Sequence, residues 1–221
     1  MAEHLQKEIG KLKGNLLRLC ALVEKRVELA TSAIKNRDIK SAREVIDSDI
    51  EIDEMEVEVE EECLKILALH QPVAIDLRLI VAILKINNDL ERIGDLAVNI
   101  AERGSYLAVQ KAIPASFDFS TMADKVMLML RQSLDSFVEM DADLAFFVCA
   151  SDDEVDEMNR EMHEQVESLI KESVGNVSVL IHLLSVSRHF ERIADHATNI
   201  AEDVIYMIKG DIVRHKAESY T

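Results

Sequence analysis

The chain lacks tryptophan and contains few residues that interrupt a helix. Its 221 residues include only six glycines and two prolines, the two residue types least favourable in a helix interior. Leucine, isoleucine, alanine, glutamate and methionine are abundant instead, and most of these favour helices. We therefore predict an all-α fold.

Paired cysteines and long apolar runs are also missing. The three cysteines, Cys20, Cys63 and Cys149, include no C-x-x-C pair, and the chain does not open on a basic segment followed by an apolar one. Apolar runs such as 79–84 are far shorter than the roughly 20 residues that cross a bilayer. We expect a cytoplasmic protein without a transmembrane segment.

Basic residues are scarce relative to acidic ones. The 25 lysines and arginines stand against 42 aspartates and glutamates, which gives a formal net charge of −17 at pH 7. Nucleic-acid binding depends largely on cationic neutralisation of phosphates, so we expect no nucleic-acid partner. Cations and basic protein surfaces are the partners that this charge favours.

Sequence motifs of common catalytic sites are absent as well. The chain contains no phosphate-binding G-x-x-x-x-G-K-[ST], no G-x-G-x-x-G, no G-x-S-x-G and no H-E-x-x-H. It also lacks the E-x-x-H pairs of di-iron proteins built on four-helix bundles. We find no catalytic residue and predict that the protein is not an enzyme.

What the chain does contain is an internal repeat. Segments Leu90–Glu102 and Phe190–Glu202 are identical at nine of thirteen positions, and both begin with an E-R-I-x-D motif at their second residue. Three aspartates upstream recur 103 residues later, namely Asp38, Asp49 and Asp53 as Asp141, Asp152 and Asp156. A repeat of this length indicates duplication of one structural unit.

The predicted architecture is two tandem three-helix bundles, one per repeat. We place the domains at 1–113 and 114–221. The six predicted helices span 3–35, 39–69, 74–110, 118–139, 142–172 and 177–209. Asp38 and Asp141 are natural N-caps for the second helix of each bundle, and the Pro114 region marks the linker.

Each third helix carries acidic residues away from its apolar face. Ile86, Leu90 and Ile93 share one face at helical spacing, and we predict that this face lies in the core. Glu91 and Asp95 are four residues apart, so they lie together on another face. The second half repeats this pattern with Glu191 and Asp195.

Each second helix carries a matching acidic stripe. In the first half, the stripe consists of Asp49, Asp53, Glu56 and Glu60. In the second half, it includes Asp152 and Asp156. Apolar residues such as Ile52 flank the stripe on both sides, which is unusual for a solvated face. Like charges four residues apart cost a helix about 0.2–0.5 kcal/mol per pair, so a compensating positive charge is expected.

These stripes predict two metal sites made of carboxylates, one in each half. The predicted ligands are Asp49, Asp53, Glu91 and Asp95 in the first site, and Asp152, Asp156, Glu191 and Asp195 in the second. Carboxylate oxygens suit Fe, Mn, Zn, Mg or Ca. The alternative is an acidic surface without metal.

Other polar residues near the stripes have less definite roles. Additional or supporting ligands could come from Glu56, Glu60, Asn99, Asn199 and His163. For His189 and His196, packing or a partner contact is the safer interpretation. Arg92 and Arg192 are expected to form salt bridges with neighbouring acids.

The motifs in these segments resemble those of the PhoU family. The resemblance covers essentially the whole chain and includes E-R-I-G-D, E-R-I-A-D, the Q-P-x-x-x-D-L-R turn at Gln71–Arg78 and N-I-A-E-D at Asn199–Asp203. It implies two three-helix bundles whose E/D-x-x-x-D motifs hold multinuclear clusters of iron or zinc. Mn, Mg, Ca and Ni remain alternatives.

The same resemblance implies a regulatory adaptor. Such a protein represses the phosphate-starvation response, modulates phosphate uptake and acts between the ATPase subunit of an ABC phosphate transporter and a sensor histidine kinase. It would meet the membrane only through these partners. The apolar flanks of the stripes make a homodimer plausible. The alternative function is a metal-dependent hydrolase or a metal-storage protein that uses the duplicated carboxylates.

Overall fold

The all-α prediction is confirmed. The computed structural model describes residues 2–48, 50–111, 119–172 and 176–210, and these ranges contain helices and no strand. The helices are α1 (Ala2–Lys35), α2 (Ile39–Asp47), α3 (Ile50–His70), α4 (Ala74–Val109), α5 (Phe119–Glu139), α6 (Ala142–Glu172) and α7 (Val177–Lys209). No helix in the described part of the chain is long and apolar enough to cross a membrane.

The predicted helix 39–69 is divided into α2 and α3. Its N-cap is as expected, because the Asp38 carboxylate accepts a hydrogen bond from the Lys40 backbone N–H at 2.9 Å. Near Ser48, however, the Ser48 hydroxyl donates to the Glu44 carbonyl at 2.7 Å, and the Ser48 carbonyl accepts from the buried Arg26 guanidinium. These bonds compete with helical ones and account for the interruption.

The helices form two three-helix bundles in tandem. In the first, α4 packs on α1 and on the α2–α3 pair, and in the second, α7 packs on α5 and α6. The predicted core face of α4 is confirmed, since Ile86, Leu90 and Ile93 are fully buried. The predicted domain boundary at 113/114 falls outside the described residues.

The two bundles meet along α4 and α7. Polar side chains of α4 and α7 contact each other across this junction. The Asp89 carboxylate lies 2.7 Å from Nδ1 of His196, and Nζ of Lys85 donates to the buried Asp203 carboxylate at 2.8 Å. His196 therefore has the packing role that we expected. Asn199, considered above as a supporting ligand, also donates to Asp89, at 3.4 Å.

The close contact between α3 and α4 depends on Gly94. A methyl group added there would lie 3.0 Å from Cδ1 of Ile52. In the second half the repeat places Ala194 at the position of Gly94 and Val155 at that of Ile52. Compared with the first half, the second half therefore has one more carbon at the glycine position and one fewer at the isoleucine position.

We expect Gly94→Ala to lower the free energy of unfolding by about 1 kcal/mol, because overpacking of about 1–3 kcal/mol outweighs a helix-propensity gain of about 1 kcal/mol. Adding Ile52→Val should restore the loss. Urea denaturation of both variants measures this. Gly10→Ala is the control, since its methyl would meet nothing within 4 Å. Equal stabilisation by Gly94→Ala and Gly10→Ala would show that the contact is not tight.

Candidate metal centres

The second predicted site brings three carboxylates together. Asp156 projects from α6, and Glu191 and Asp195 project from one face of α7 because they are four residues apart. One oxygen from each carboxylate lies within 4.8 Å of the others. Three carboxylate oxygens at this separation are close enough to share one cation.

Asp152, the fourth predicted ligand, lies next to this cluster and is largely buried. Its Oδ1 atom is buried and makes no hydrogen bond of normal length in the described part of the protein, although the Thr198 hydroxyl is near enough to lower its pKa. Burial raises the pKa of Asp152 from 3.8 to about 7, and the charges of Asp195 and Asp156 add to the increase. A largely buried carboxylate beside other carboxylates fits a missing positive charge.

The neighbouring carboxylates are perturbed in the same direction. Burial raises the pKa of Glu191, and the charges of Asp195 and Asp156 raise it further. Burial also raises the pKa of Asp195, together with the charge of Asp156. A bound cation would reverse these effects by favouring the ionised forms.

The first predicted site lies in a groove between α3 and α4 with a volume of about 540 Å³. Asp53, Glu91 and Asp95, three of its four predicted ligands, line this groove. Asp49, the fourth, lies outside the described residues. Glu56 and Glu60, suggested above as additional ligands, also line the groove.

The groove contains an unpaired oxygen that the sequence did not indicate. Asn87 is 1% exposed, and its side-chain nitrogen donates to the Glu56 carbonyl at 2.9 Å. Its Oδ1 atom is buried without a hydrogen-bond partner within the described ranges. An amide oxygen among carboxylates is a suitable ligand for a hard cation. Burial raises the pKa of Glu91 at this site, as does the charge of Asp95.

One arginine partly neutralises the first site. Nε of Arg92 lies 3.3 Å from the Glu91 carboxylate, and its Nη1 lies 3.6 Å from that of Asp95. The expected salt bridges are thereby confirmed for Arg92. Its side chain is more than half exposed, so it leaves the inner side of the groove acidic.

Three positions make the two sites chemically different. Under the repeat, Glu56, Glu60 and Asn87 correspond to Asn159, His163 and Ser187. The bond from Asn87 to the Glu56 backbone is replaced by one from the Ser187 hydroxyl to Oδ1 of Asn159 at 2.8 Å. The first site therefore offers two carboxylates that the second lacks.

Neither His163 nor His189 joins the carboxylate cluster. His163 is exposed on α6 and does not belong to the group formed by Asp156, Glu191 and Asp195. His189 is half-buried and contacts the Ser185 hydroxyl at 3.2 Å. Burial lowers the pKa of His189 to about 4, with contributions from nearby arginines. The packing interpretation of His189 agrees with this position.

Comparisons with known proteins agree with this architecture. The PhoU domain model matches residues 16–104 and 119–204. A phosphate-specific transport system accessory protein PhoU homolog of Aquifex aeolicus is 40% identical over 212 residues, which cover 96% of each chain. The homolog of Pseudomonas aeruginosa is 37% identical over 216 residues, 97% of this chain and 89% of the relative.

Two crystal structures share the fold. PhoU from Pseudomonas aeruginosa has a TM-score of 0.91 at 37% identity, covering 93% of this chain and 99% of that one. The phosphate transport system regulatory protein PhoU from Streptococcus pneumoniae has a TM-score of 0.88 at 26% identity, covering 95% and 99%.

Proposed function

The chain belongs to the PhoU family, and from this premise we propose that it is a regulatory accessory protein of a phosphate transport system that binds metal through two carboxylate sites. The observation that carries the proposal is the pair of acidic sites at equivalent positions of two PhoU domains. Near-full-length relatives carry the name of phosphate-specific transport system accessory proteins, and this supports the regulatory role.

In the second site, Asp156, Glu191 and Asp195 would hold the metal, with Asp152 beside them. In the first site, Asp53, Glu91 and Asp95 would hold the metal, and the side-chain oxygen of Asn87 would be available as a further ligand. The metal would supply positive charge that stabilises these carboxylates in their ionised form and ties together the helices that carry them. Iron and zinc are the ions that we propose, as a multinuclear cluster.

The finer proposal concerns partners. The protein would repress phosphate-starvation signalling by coupling the ATPase subunit of an ABC phosphate transporter to a sensor histidine kinase. Its net charge of −17 would attract basic surfaces on these partners. Beside the first groove, α3 exposes Ile50, Val57 and Leu64 at seven-residue spacing, and this apolar stripe offers a face for a partner or for a second copy in a homodimer.

The test is co-purification of the transporter ATPase subunit and the kinase with this protein, with metal content measured on the same samples. The protein is prepared without chelator or affinity metal. The first-site variant carries Asp53→Asn, Glu91→Gln and Asp95→Asn, and the second-site variant Asp156→Asn, Glu191→Gln and Asp195→Asn. The control, Glu157→Gln, Glu161→Gln and Glu164→Gln, changes the net charge equally at exposed positions of α6.

We expect stoichiometric metal in the wild type and the control, a loss of half of it in each site variant, and retention of both partners when phosphate is present. Metal-free wild-type protein that gains no thermal stability from added ions would refute the metal sites. Absence of both partners under all phosphate conditions would refute the adaptor role, whatever the metal content.

A further inference from the structure

A second type of ligand cluster lies where the start of α1 meets the end of α3. Nδ1 of His4 lies 3.4 Å from one oxygen of Glu8, and Nε2 of His70 lies 2.7 Å from the other. The two imidazole rings are 5.7 Å apart between centroids. One ligand atom from each of the three residues lies within 4.8 Å of the others.

Helix geometry accounts for this convergence. His4 and Glu8 are four residues apart on α1, so they share a face. His70 is the last residue of α3, and the positive φ of 46° at Gln71 directs the chain away from the helix. The side chains of Glu8 and His70 are 16% and 15% exposed, whereas that of His4 is 68% exposed. The cluster is therefore anchored on its inner side and open to solvent on its outer side.

We propose that His4, Glu8 and His70 form a mononuclear binding site for a divalent transition-metal ion, with zinc as the preferred ion. Two imidazoles and one carboxylate are a zinc ligand set that leaves a fourth position for water. With zinc–ligand distances of about 2.0–2.1 Å, tetrahedral ligand atoms lie about 3.3–3.4 Å apart. The separation of 3.4 Å between Nδ1 of His4 and the Glu8 oxygen matches this spacing, whereas the 2.7 Å hydrogen bond between His70 and Glu8 has to lengthen when zinc binds.

The charge of Glu8 suits this role. Desolvation opposes ionisation of Glu8, but the hydrogen bond to His70 and the charges of His70, His4 and Lys65 outweigh it and lower the pKa below its usual value. The carboxylate is thus ionised at neutral pH, as a zinc ligand must be. Zinc would replace the hydrogen bond between His70 and Glu8.

This site is separate from the carboxylate groove. His70 follows Glu60 by ten residues on α3, which corresponds to about 15 Å along a helix. The ligands of the proposed zinc site also include imidazoles, which favour zinc over calcium or magnesium. A zinc ion here would join the first turns of α1 to the last turn of α3 and stabilise that end of the first bundle.

The test uses the full-length, chelator-treated protein at about pH 7.5, above the usual histidine pKa. Bound zinc is counted at saturation, and cobalt serves as the spectroscopic probe because its visible absorption is strong in a tetrahedral site. The test variants are His4→Gln with His70→Gln, and Glu8→Gln alone, which keeps both imidazoles. His163→Gln is the control, since it removes an exposed histidine outside both clusters.

We expect the double variant to bind one zinc ion fewer than the wild type and to lose the tetrahedral cobalt spectrum. Glu8→Gln should weaken zinc binding by at least about 100-fold, more than loss of a supporting residue usually does. The control should match the wild type. An unchanged zinc count and cobalt spectrum in both test variants would overturn the proposal, and neither result depends on the carboxylate sites or on the adaptor role.

Discussion

In protein stripped of metal by a chelator, Asp152→Asn is expected to raise the free energy of unfolding by about 2–3 kcal/mol at about pH 8, and to change it little at about pH 3.5. Burial raises the pKa of Asp152 from 3.8 to about 7. Each pKa unit corresponds to about 1.36 kcal/mol, and partial solvent exposure of the carboxyl group reduces the total.

The sign follows from proton binding. Because the folded state holds the Asp152 proton more tightly than the unfolded state, the resulting stability is fully present below about pH 4 and is lost as the pH rises through about 7. The asparagine side chain does not ionise, so the Asp152→Asn variant keeps its stability at high pH. At low pH, aspartic acid and asparagine are both neutral, so the two proteins should be similar.

Urea denaturation followed by circular dichroism at the two pH values, with chelator present, measures this effect. Glu161→Gln is the control, because Glu161 is an exposed carboxylate of α6 and is not among the groups that shift the pKa of Asp152. Equal stabilisation at both pH values would contradict the explanation. Adding zinc or iron should reverse the order of stability, since only the carboxylate is stabilised by the cation.

Much of the fold and of the carboxylate sites could be predicted because the signals are local or repeated. Because the E-R-I-x-D motif spaces its acidic residues four apart, Glu91 lies on the same helix face as Asp95. Glu191 and Asp195 share a face in the same way. Helical spacing alone identifies the buried face of α4. Duplication then shows which acidic pairs occupy equivalent positions.

Other features depend on contacts between distant parts of the chain. The interruption at Ser48 involves Arg26, which is 22 residues away. A lone Asn87 gives no periodic signal, and its unpaired oxygen is apparent only once α3 and α4 are packed. His70 and Glu8 are separated by 62 residues, so no spacing rule brings them together.

The difference between the two carboxylate sites could have been found from the sequence. Aligning the halves at their offsets of 103 and 100 pairs Glu56 with Asn159, Glu60 with His163 and Asn87 with Ser187. The identical positions of the repeat describe what the two sites share. The substituted positions describe how their charge differs, and they lead us to expect stronger attraction of highly charged cations at the first site.

Lys85→Met is expected to lower the free energy of unfolding by about 2–3 kcal/mol, because it leaves the Asp203 carboxylate buried without its lysine. The side chain of Asp203 is 2% exposed, and Nζ of Lys85 lies 2.8 Å from it. Lys85 is itself 40% exposed, which places the expected loss below the upper range for a fully buried pair.

A double variant separates the ion pair from simple packing. Methionine retains most of the apolar stem of lysine, so Lys85→Met mainly removes the charge. Adding Asp203→Asn removes the buried negative charge as well, and it should recover a large part of the lost stability. Lys171→Met is the control: Lys171 pairs with Glu167 at an exposed site, where the loss should not exceed about 0.5 kcal/mol.

Thermal and urea unfolding of the four proteins measure these differences. Because Lys85 is on α4 and Asp203 on α7, the pair links the two bundles, and its loss should also separate their unfolding transitions. If Lys85→Met costs no more than Lys171→Met, water or another group already compensates Asp203, and the junction is held by apolar packing. If the double variant is no more stable than Lys85→Met alone, the loss comes from the lysine stem rather than from the removal of the lysine charge.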